Sequence, residues 1–298
     1  WLADIWQQAK GRLRWSCLLP LSVMDEAIKE LHFAVEHGAC AITMRSIEGD
    51  RLLVDEYFHP LYEEASRLNV PIGVHIGSQI MSLAPLKEAW TRVVGLARTL
   101  RENGVNITRL DFGGGLGVPY KPGDDPETPA QYAAAAREVL GDLDVQLILE
   151  PGRLIAANAG VLISRVEYVK ERDGRTFVVL DAAMNDLIRP AMYSAHHEIA
   201  PLREPEAGNT RISVDFVGPI CESTDRFAKD RPSTPLKEGD LVAFMTAGAY
   251  GAVLSSQYNS RPLVAETLVR GDAWSTVRIR PDFEQMIALE RMPDWLDG

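Results

Sequence analysis

Five short apolar runs recur through the first half of the chain, each separated from the next by an amphipathic or polar stretch. They read RWSCLLPL, ACAITMR, IGVHIGS, TRLDFGG and VQLILEP, at residues 14–21, 39–45, 72–78, 108–114 and 145–151. This alternation of strand and helix dictates a parallel sheet, because parallel neighbours need a crossover long enough to hold a helix. After Ser22, the residues Ala27, Ile28, Leu31, Ala34 and Val35 fall at helical spacing, and Gly38 closes the run. A second helix is predicted from Pro60, and a third from about Leu86 to Asn103 before Gly104. Such units build a β/α barrel or an open doubly wound sheet, and periodicity does not choose between them.

From about Gly160 the texture changes to runs of period two: VLISRVEYV, RTFVVLDA, TRISVDFVG, DLVAFMTAG, LVAETLVRGD and STVRIR. Asp173-Gly174 and Gly271-Asp272 supply turn chemistry between some of them. The expectation is an α/β plus all-β chain: a partial or rebuilt parallel β/α barrel over 1–159, followed by a C-terminal antiparallel β domain over 160–298. Residues 1–159 are few for a complete eight-unit barrel, which takes roughly 200 or more. The Pro, Gly and Asp-rich stretch from Lys121 to Ala130 reads as a loop inside the first domain.

Composition narrows the classes. With 298 residues, 46% of them hydrophobic, the chain can bury one large core or two ordinary ones. A net charge of −11 without a Lys/Arg cluster argues against nucleic acid as a partner. Cys17, Cys40 and Cys221 are widely spaced, which suggests neither a disulfide framework nor a structural zinc site and suits a reducing cytoplasm. No apolar stretch of about 18 residues and no signal-peptide layout is present, so no membrane partner is expected.

Candidate chemistry sits at the strand ends. His75 closes the third run, and Gly113, Gly114 and Gly115 follow the fourth, where glycine backbones let N–H groups close on an anion. Glu150, Gly152 and Arg153 follow the fifth; a carboxylate there can pair with a protonated ring nitrogen, and Arg153 can clamp a substrate carboxylate. In the β half, DAAMNDLIRPAMYSAHHEI places Arg189 and Tyr193 at i, i+4, GPICESTD sets Cys221 beside Glu222, and GAYGAVLSSQYNSRP flanks Tyr250 with glycines. Singly, each has a structural alternative: a tight turn, an ion pair, a surface charge, a small buried thiol. Together, polar and Gly-rich stretches at loop positions in both domains suggest a cofactor site between the domains.

In this order, HIGSQI, DFGGGLGVPY, LILEPGR, DAAMNDLIRPAMY, CESTD and GAYGAVLSSQYNSRP resemble the pyridoxal-phosphate-dependent diaminopimelate decarboxylases, relatives of alanine racemase and ornithine decarboxylase with a β/α barrel and a β domain. The resemblance runs from about His75 to Arg280. It implies a carboxy-lyase converting meso-diaminopimelate to L-lysine in lysine biosynthesis, with pyridoxal 5′-phosphate as cofactor. It implies that His75 stacks on the cofactor ring, that Ser78 and the Gly114-Gly115 turn hold the phosphate, and that Glu150 pairs with the pyridine nitrogen, with Gly152 and Arg153 beside them. Arg153, Arg189, Tyr193, Glu222 and Tyr250 would bind the diamino-dicarboxylate, Tyr250 also touching the cofactor. Cys221 would return the proton, and Cys221 and Glu222 would come from the second subunit of a homodimer.

Upstream of His75 the pattern departs. The family carries its Schiff-base lysine in a Tyr-Ala-x-Lys-Ala-type motif on the first barrel strand, and these residues hold no such motif; Lys10 and Lys29 lie in helical or loop contexts. The expectation is therefore a severe loss of turnover. Residues 12–76 resemble instead a segment of a metal-dependent amidohydrolase barrel, in which a strand-end His such as His75 is a metal ligand. The other ligands of that family do not follow, and one His does not hold a catalytic zinc. These readings give a chimera of amidohydrolase-like 1–76 and decarboxylase-like 77–159 as the expectation, with a metal-dependent hydrolase or a non-catalytic chimeric barrel as alternatives and no metal assigned.

Overall fold

The structure is a computed structural model that describes residues 2–10, 13–45, 47–203, 210–293 and 295, with Val74 and His75 described in backbone alone. The chain divides into two units, Trp1–Val118 with Asp125–Ile155, and Pro119–Asp124 with Ala156–Gly298. The Lys121–Ala130 loop is thus split, its first residues belonging with the second unit.

In the first unit, strands β1 (Trp15–Cys17), β2 (Ala39–Arg45), β5 (Ile72–His75), β6 (Arg109–Asp111) and β7 (Gln146–Ile148) pair in that order, all parallel. A small hairpin, β3 (Ile47–Glu48) with β4 (Arg51–Leu52), interrupts the chain after β2. All five apolar runs of the first half are strands. Spatial order follows chain order, without the reversal of a doubly wound sheet.

Helix α1 (Leu2–Gln8) leads the unit, and α2 (Met24–Glu36), α3 (His59–Arg67), α4 (Leu83–Glu102) and α5 (Pro129–Leu140) fill the crossovers. α2 starts after Val23 with no side-chain cap, so Ser22 does not open it. α4 begins three residues before Leu86, because the Ser82 hydroxyl accepts from Ala84 N–H and caps it there. Leu31, Ile42, Met44, Leu61 and Tyr62 are buried under α2 and α3, and Leu86, Trp90, Val94, Phe112 and Tyr132 under α4 and α5. Burying an aliphatic or aromatic side chain of this size stabilises by about 1.5–3 kcal/mol.

Two short helices, α6 (Gly152–Ala156) and α7 (Arg189–Tyr193), follow β7 and punctuate the second unit. That unit holds a six-stranded sheet in the order β10-β13-β8-β9-β11-β12. The strands are β8 (Leu162–Arg172), β9 (Arg175–Leu180), β10 (Ile199–Pro201), β11 (Ile212–Val217), β12 (Arg226–Ser233) and β13 (Leu241–Phe244). The expectation of an antiparallel domain is corrected in one place: β9 and β11 are parallel, which the long connection through α7 and β10 permits. Asp173 and Gly174 turn β8 into β9 with φ of 51° and 75°, the two positive values a primed hairpin turn requires.

The last two predicted strands, β14 (Glu266–Arg270) and β15 (Ala273–Arg278), form a separate two-stranded hairpin through Gly271-Asp272. α8 (Phe283–Ile287) follows them. Among the described residues no helix is long and apolar enough to cross a membrane.

Candidate functional site

Three loops meet at the C-terminal ends of β5, β6 and β7 inside the first unit. The glycine turn after β6 is held from several sides: Gly113 N–H donates to the buried Asp111 carboxylate at 2.8 Å, and the Gly113 carbonyl accepts from Glu150 N–H at 2.8 Å and Tyr132 O–H at 3.2 Å. Burial raises the Asp111 carboxyl above the usual carboxylate range, against the lowering effect of the Gly113 N–H. The Gly115 carbonyl accepts from Ile80 N–H at 2.8 Å, and the Gln79 amide clamps both backbone groups of Val118.

Glycine is needed here for space. A Cβ on Gly114 would stand 2.0 Å from the Glu150 carbonyl oxygen, and one on Gly115, where φ is +87°, 2.8 Å from that of Gly77. Among the described residues no hydrogen bond engages the N–H of Gly114 or Gly115. On the neighbouring loop, Arg153 at the start of α6 donates to the Ser78 hydroxyl from Nη2 at 2.9 Å and from Nε at 3.3 Å. Two unengaged backbone donors, a hydroxyl and a guanidinium on three adjacent loops suit an anion such as a phosphate.

Ser78, Gly114, Gly115, Glu150, Gly152 and Arg153 are therefore brought to one end of one sheet. Glu150 is exposed. The side chain of His75 lies outside the described residues. Lys29 and Lys87 are tied outward in ion pairs to Glu26 and Glu138, at 2.7 and 2.8 Å.

The second unit gathers the other candidates on three knitted loops. Asp225, buried, accepts from Met184 N–H through Oδ1 and from Ile220 N–H through Oδ2, both at 2.7 Å, and so ties the segment before α7 to the loop of Cys221 and Glu222. Asn185 donates to the Ser256 carbonyl at 3.1 Å and accepts from Arg261 Nε at 2.9 Å, which brings in the loop after Tyr250. Burial raises the carboxyls of both Asp225 and Asp186.

On this frame Cys221, Glu222, Tyr193 and Tyr250 are exposed, and Arg189 is buried. Tyr258 O–H reaches Glu222 at 3.4 Å, and the Glu222 charge raises the Tyr258 pKa. Tyr250 sits at a positive φ of 59°. Cys221 is thus not the small buried thiol of the structural alternative. Sequence reasoning missed Asp225, Asn185, Arg261 and His197: each lay inside or beside a quoted motif, but its partner is remote in sequence. Among the described residues no group of three or more His, Cys, Asp or Glu side chains is placed to hold a metal ion.

Comparison with known proteins places these features in a family. A profile described as the pyridoxal-dependent decarboxylase, C-terminal sheet domain, matches residues 20–248. A diaminopimelate decarboxylase of Aquifex aeolicus is 42% identical over 230 residues, 76% of this chain and 54% of the relative. One from Neisseria meningitidis serogroup A is 39% identical over 284 residues, 95% of this chain and 68% of the relative. The crystal structure of diaminopimelate decarboxylase from M. jannaschii in co-complex with L-lysine superimposes with a TM-score of 0.81 at 26% identity, covering 98% of this chain and 73% of that one. The family match runs through residue 76, and the Neisseria alignment takes in most of residues 12–76. The chain spans about half the length of the Aquifex relative.

Proposed function

This chain belongs to the pyridoxal-dependent decarboxylases, and from that premise we propose that it binds pyridoxal 5′-phosphate through its first unit and a diaminopimelate-like diamino-dicarboxylate through its second, the binding machinery for decarboxylation of meso-diaminopimelate to L-lysine. One observation carries the reading: the Gly114 and Gly115 N–H groups, the Ser78 hydroxyl and the Arg153 guanidinium stand on adjacent loops at one sheet end. When bound, the cofactor supplies a sink for the electron pair that loss of CO₂ leaves behind. Gly114 and Gly115 donate to the phosphate with Ser78, and Gly152 gives the Arg153 turn its room. Glu150 would accept from the ring nitrogen and keep a proton there, and His75 is the residue that would stack on the ring. Arg153, Arg189, Tyr193, Glu222 and Tyr250 orient the substrate, and the Cys221 thiol delivers a proton to its α-carbon. A homodimer in which Cys221 and Glu222 serve the second copy is part of the proposal, supported by the exposure of both, as is a functional division into 1–159 and 160–298.

Thermal denaturation with ligand tests it. A ligand at about 100 times its Kd stabilises by about 2.7 kcal/mol. Pyridoxal 5′-phosphate raises Tm in the wild type, pyridoxal without its phosphate does not, and Arg153→Ala loses the shift. Equal shifts from both ligands would sink the phosphate assignment.

A second proposal concerns residues 12–76. Their likeness to an amidohydrolase segment is the one ground for a join near residue 76, set against a family match that begins at residue 20. Replacing 1–76 by the corresponding segment of the Neisseria relative, whose alignment covers 95% of this chain, raises stability and cofactor affinity if a join is present; no change or a loss favours one continuous lineage.

A further inference from the structure

A cavity of about 70 Å³ lies inside the first unit. Met44, Leu53, Tyr62, Leu96, Leu100 and Leu110 line it, and all but Leu96 are buried. Helices α3 and α4 supply one side of its wall, and the sheet supplies the other at a place where two strands part. β5 pairs with β6 only at Gly73 and Asp111, whereas β2 and β5 pair over four residues and β6 and β7 over three. The residues next in line, Pro71 and Ile72 on one side and Arg109 and Leu110 on the other, border the cavity instead. The gap is at the N-terminal ends of β5 and β6, and the loops of the candidate site leave their C-terminal ends, so the two places are separate.

The wall changes character toward solvent. Asn69, Asn106, Thr108 and Arg109 are exposed, and the Ser66 hydroxyl donates to the Asn106 carbonyl at 3.2 Å, tying the end of α3 to the segment before β6. Among the described residues no carboxylate pairs with Arg109. An apolar cavity stays dry, so its natural content is an apolar group. Its volume is about half that of a cavity that admits benzene, which limits that group to a short chain. A guanidinium at the outer edge is the side chain best suited to a carboxylate.

We propose that this cavity binds a short-chain monocarboxylic acid, its aliphatic tail between β5 and β6 and its carboxylate on Arg109. The two ends of such a ligand contribute separately. Each methylene buried strengthens binding about fourfold, and an ion pair at an exposed position adds about two- to fivefold. A second charge on the tail would be buried without a partner, so a dicarboxylate is rejected.

Methyl ¹H–¹³C spectra of the chain, titrated with propanoate, butanoate, 1-butanol and butanedioate, test this without any cofactor, so the outcome is independent of the reading above. The Leu96, Leu100 and Leu110 methyls should shift and saturate with butanoate, at an affinity about fourfold above that of propanoate. 1-Butanol binds about two- to fivefold more weakly, and butanedioate leaves those signals in place. Arg109→Gln brings butanoate to the level of 1-butanol, and Ala97→Leu, which fills the cavity from α4, removes the response to both. Ala65→Val fills it from α3 if Ala97→Leu fails to fold. Shifts that never saturate, or that persist in the filled variant, would overturn the site. Equal affinities for 1-butanol and butanoate in the wild type, or an equal loss of both in Arg109→Gln, would overturn the carboxylate assignment and the proposal with it.

Discussion

Replacing Asp225 by alanine strips the acceptors from two buried backbone donors, Met184 N–H and Ile220 N–H, each now 2.7 Å from a carboxylate oxygen. A buried donor left without a partner costs about 1–3 kcal/mol, so the pair costs about 2–6. The buried carboxylate itself is desolvated, which its raised pKa reports, and removing it returns part of that sum. The net expectation is about 2–3 kcal/mol, or a Tm lower by about 5–10 °C for a unit of this size. Because the folded pKa is raised, the contribution of Asp225 is fullest below its unfolded-state pKa and is lost as pH rises through the folded value. The Asp225→Ala penalty is therefore larger at pH 4 than at pH 7. Gly218 supplies the internal check, since a Cβ there would stand 2.3 Å from Asp225 Oδ2 and 2.4 Å from Oδ1. Gly218→Ala evicts the carboxylate in the wild type, whereas the Asp225→Ala background no longer holds those oxygens. Urea denaturation of the four proteins of this cycle should give a coupling of about 1.5–3 kcal/mol. Additivity within about 0.5 kcal/mol would refute the claim that this carboxylate ties the Cys221 loop to the segment before α7.

Gly114→Ala drives a methyl into the Glu150 carbonyl, and overpacking of about 1–3 kcal/mol predicts 5- to 150-fold weaker pyridoxal 5′-phosphate binding by equilibrium dialysis. Burial holds the Cys17 thiol up at about 11, whereas Cys40 and Cys221 are exposed. Iodoacetamide at pH 8 followed by peptide mass spectrometry should mark the latter two and spare Cys17 until the fold is opened. Its raised pKa also means that the stability contributed by Cys17 holds below its ordinary value and fades as pH climbs through 11. Lys29 and Lys87 are paired outward, so borohydride reduction with pyridoxal 5′-phosphate should label surface lysines unevenly rather than give a stoichiometric adduct on either.

What the sequence disclosed depended on how local the signal was. The five parallel strands stood out as apolar runs between amphipathic ones, and the primed turn at Asp173-Gly174 is a two-residue signal. β10 and β12 went unseen because they are the two edges of the six-stranded sheet. Edge strands carry charge and proline, and RFAKDRPS buries only Phe227, Ala228 and Ser233. The parallel pairing of β9 with β11 is a choice of partner, which alternation within each strand does not encode. The same holds at the site. The glycine triplet advertised its turn, but the tie of Asp225 to Met184 spans 41 residues and that of Arg261 to Asn185 spans 76. His197 and Arg189 are eight residues apart, yet Tyr120 and Met245 join them from far along the chain.

The central claim is that the loops after β5, β6 and β7 seat a phosphate-bearing cofactor. Phosphorus NMR of pyridoxal 5′-phosphate titrated into the chain observes that phosphate itself. The account predicts a distinct bound resonance that saturates at one equivalent and is lost in Gly114→Ala and in Arg153→Ala. A free resonance at every ratio, or a bound one unchanged by both substitutions, would contradict it.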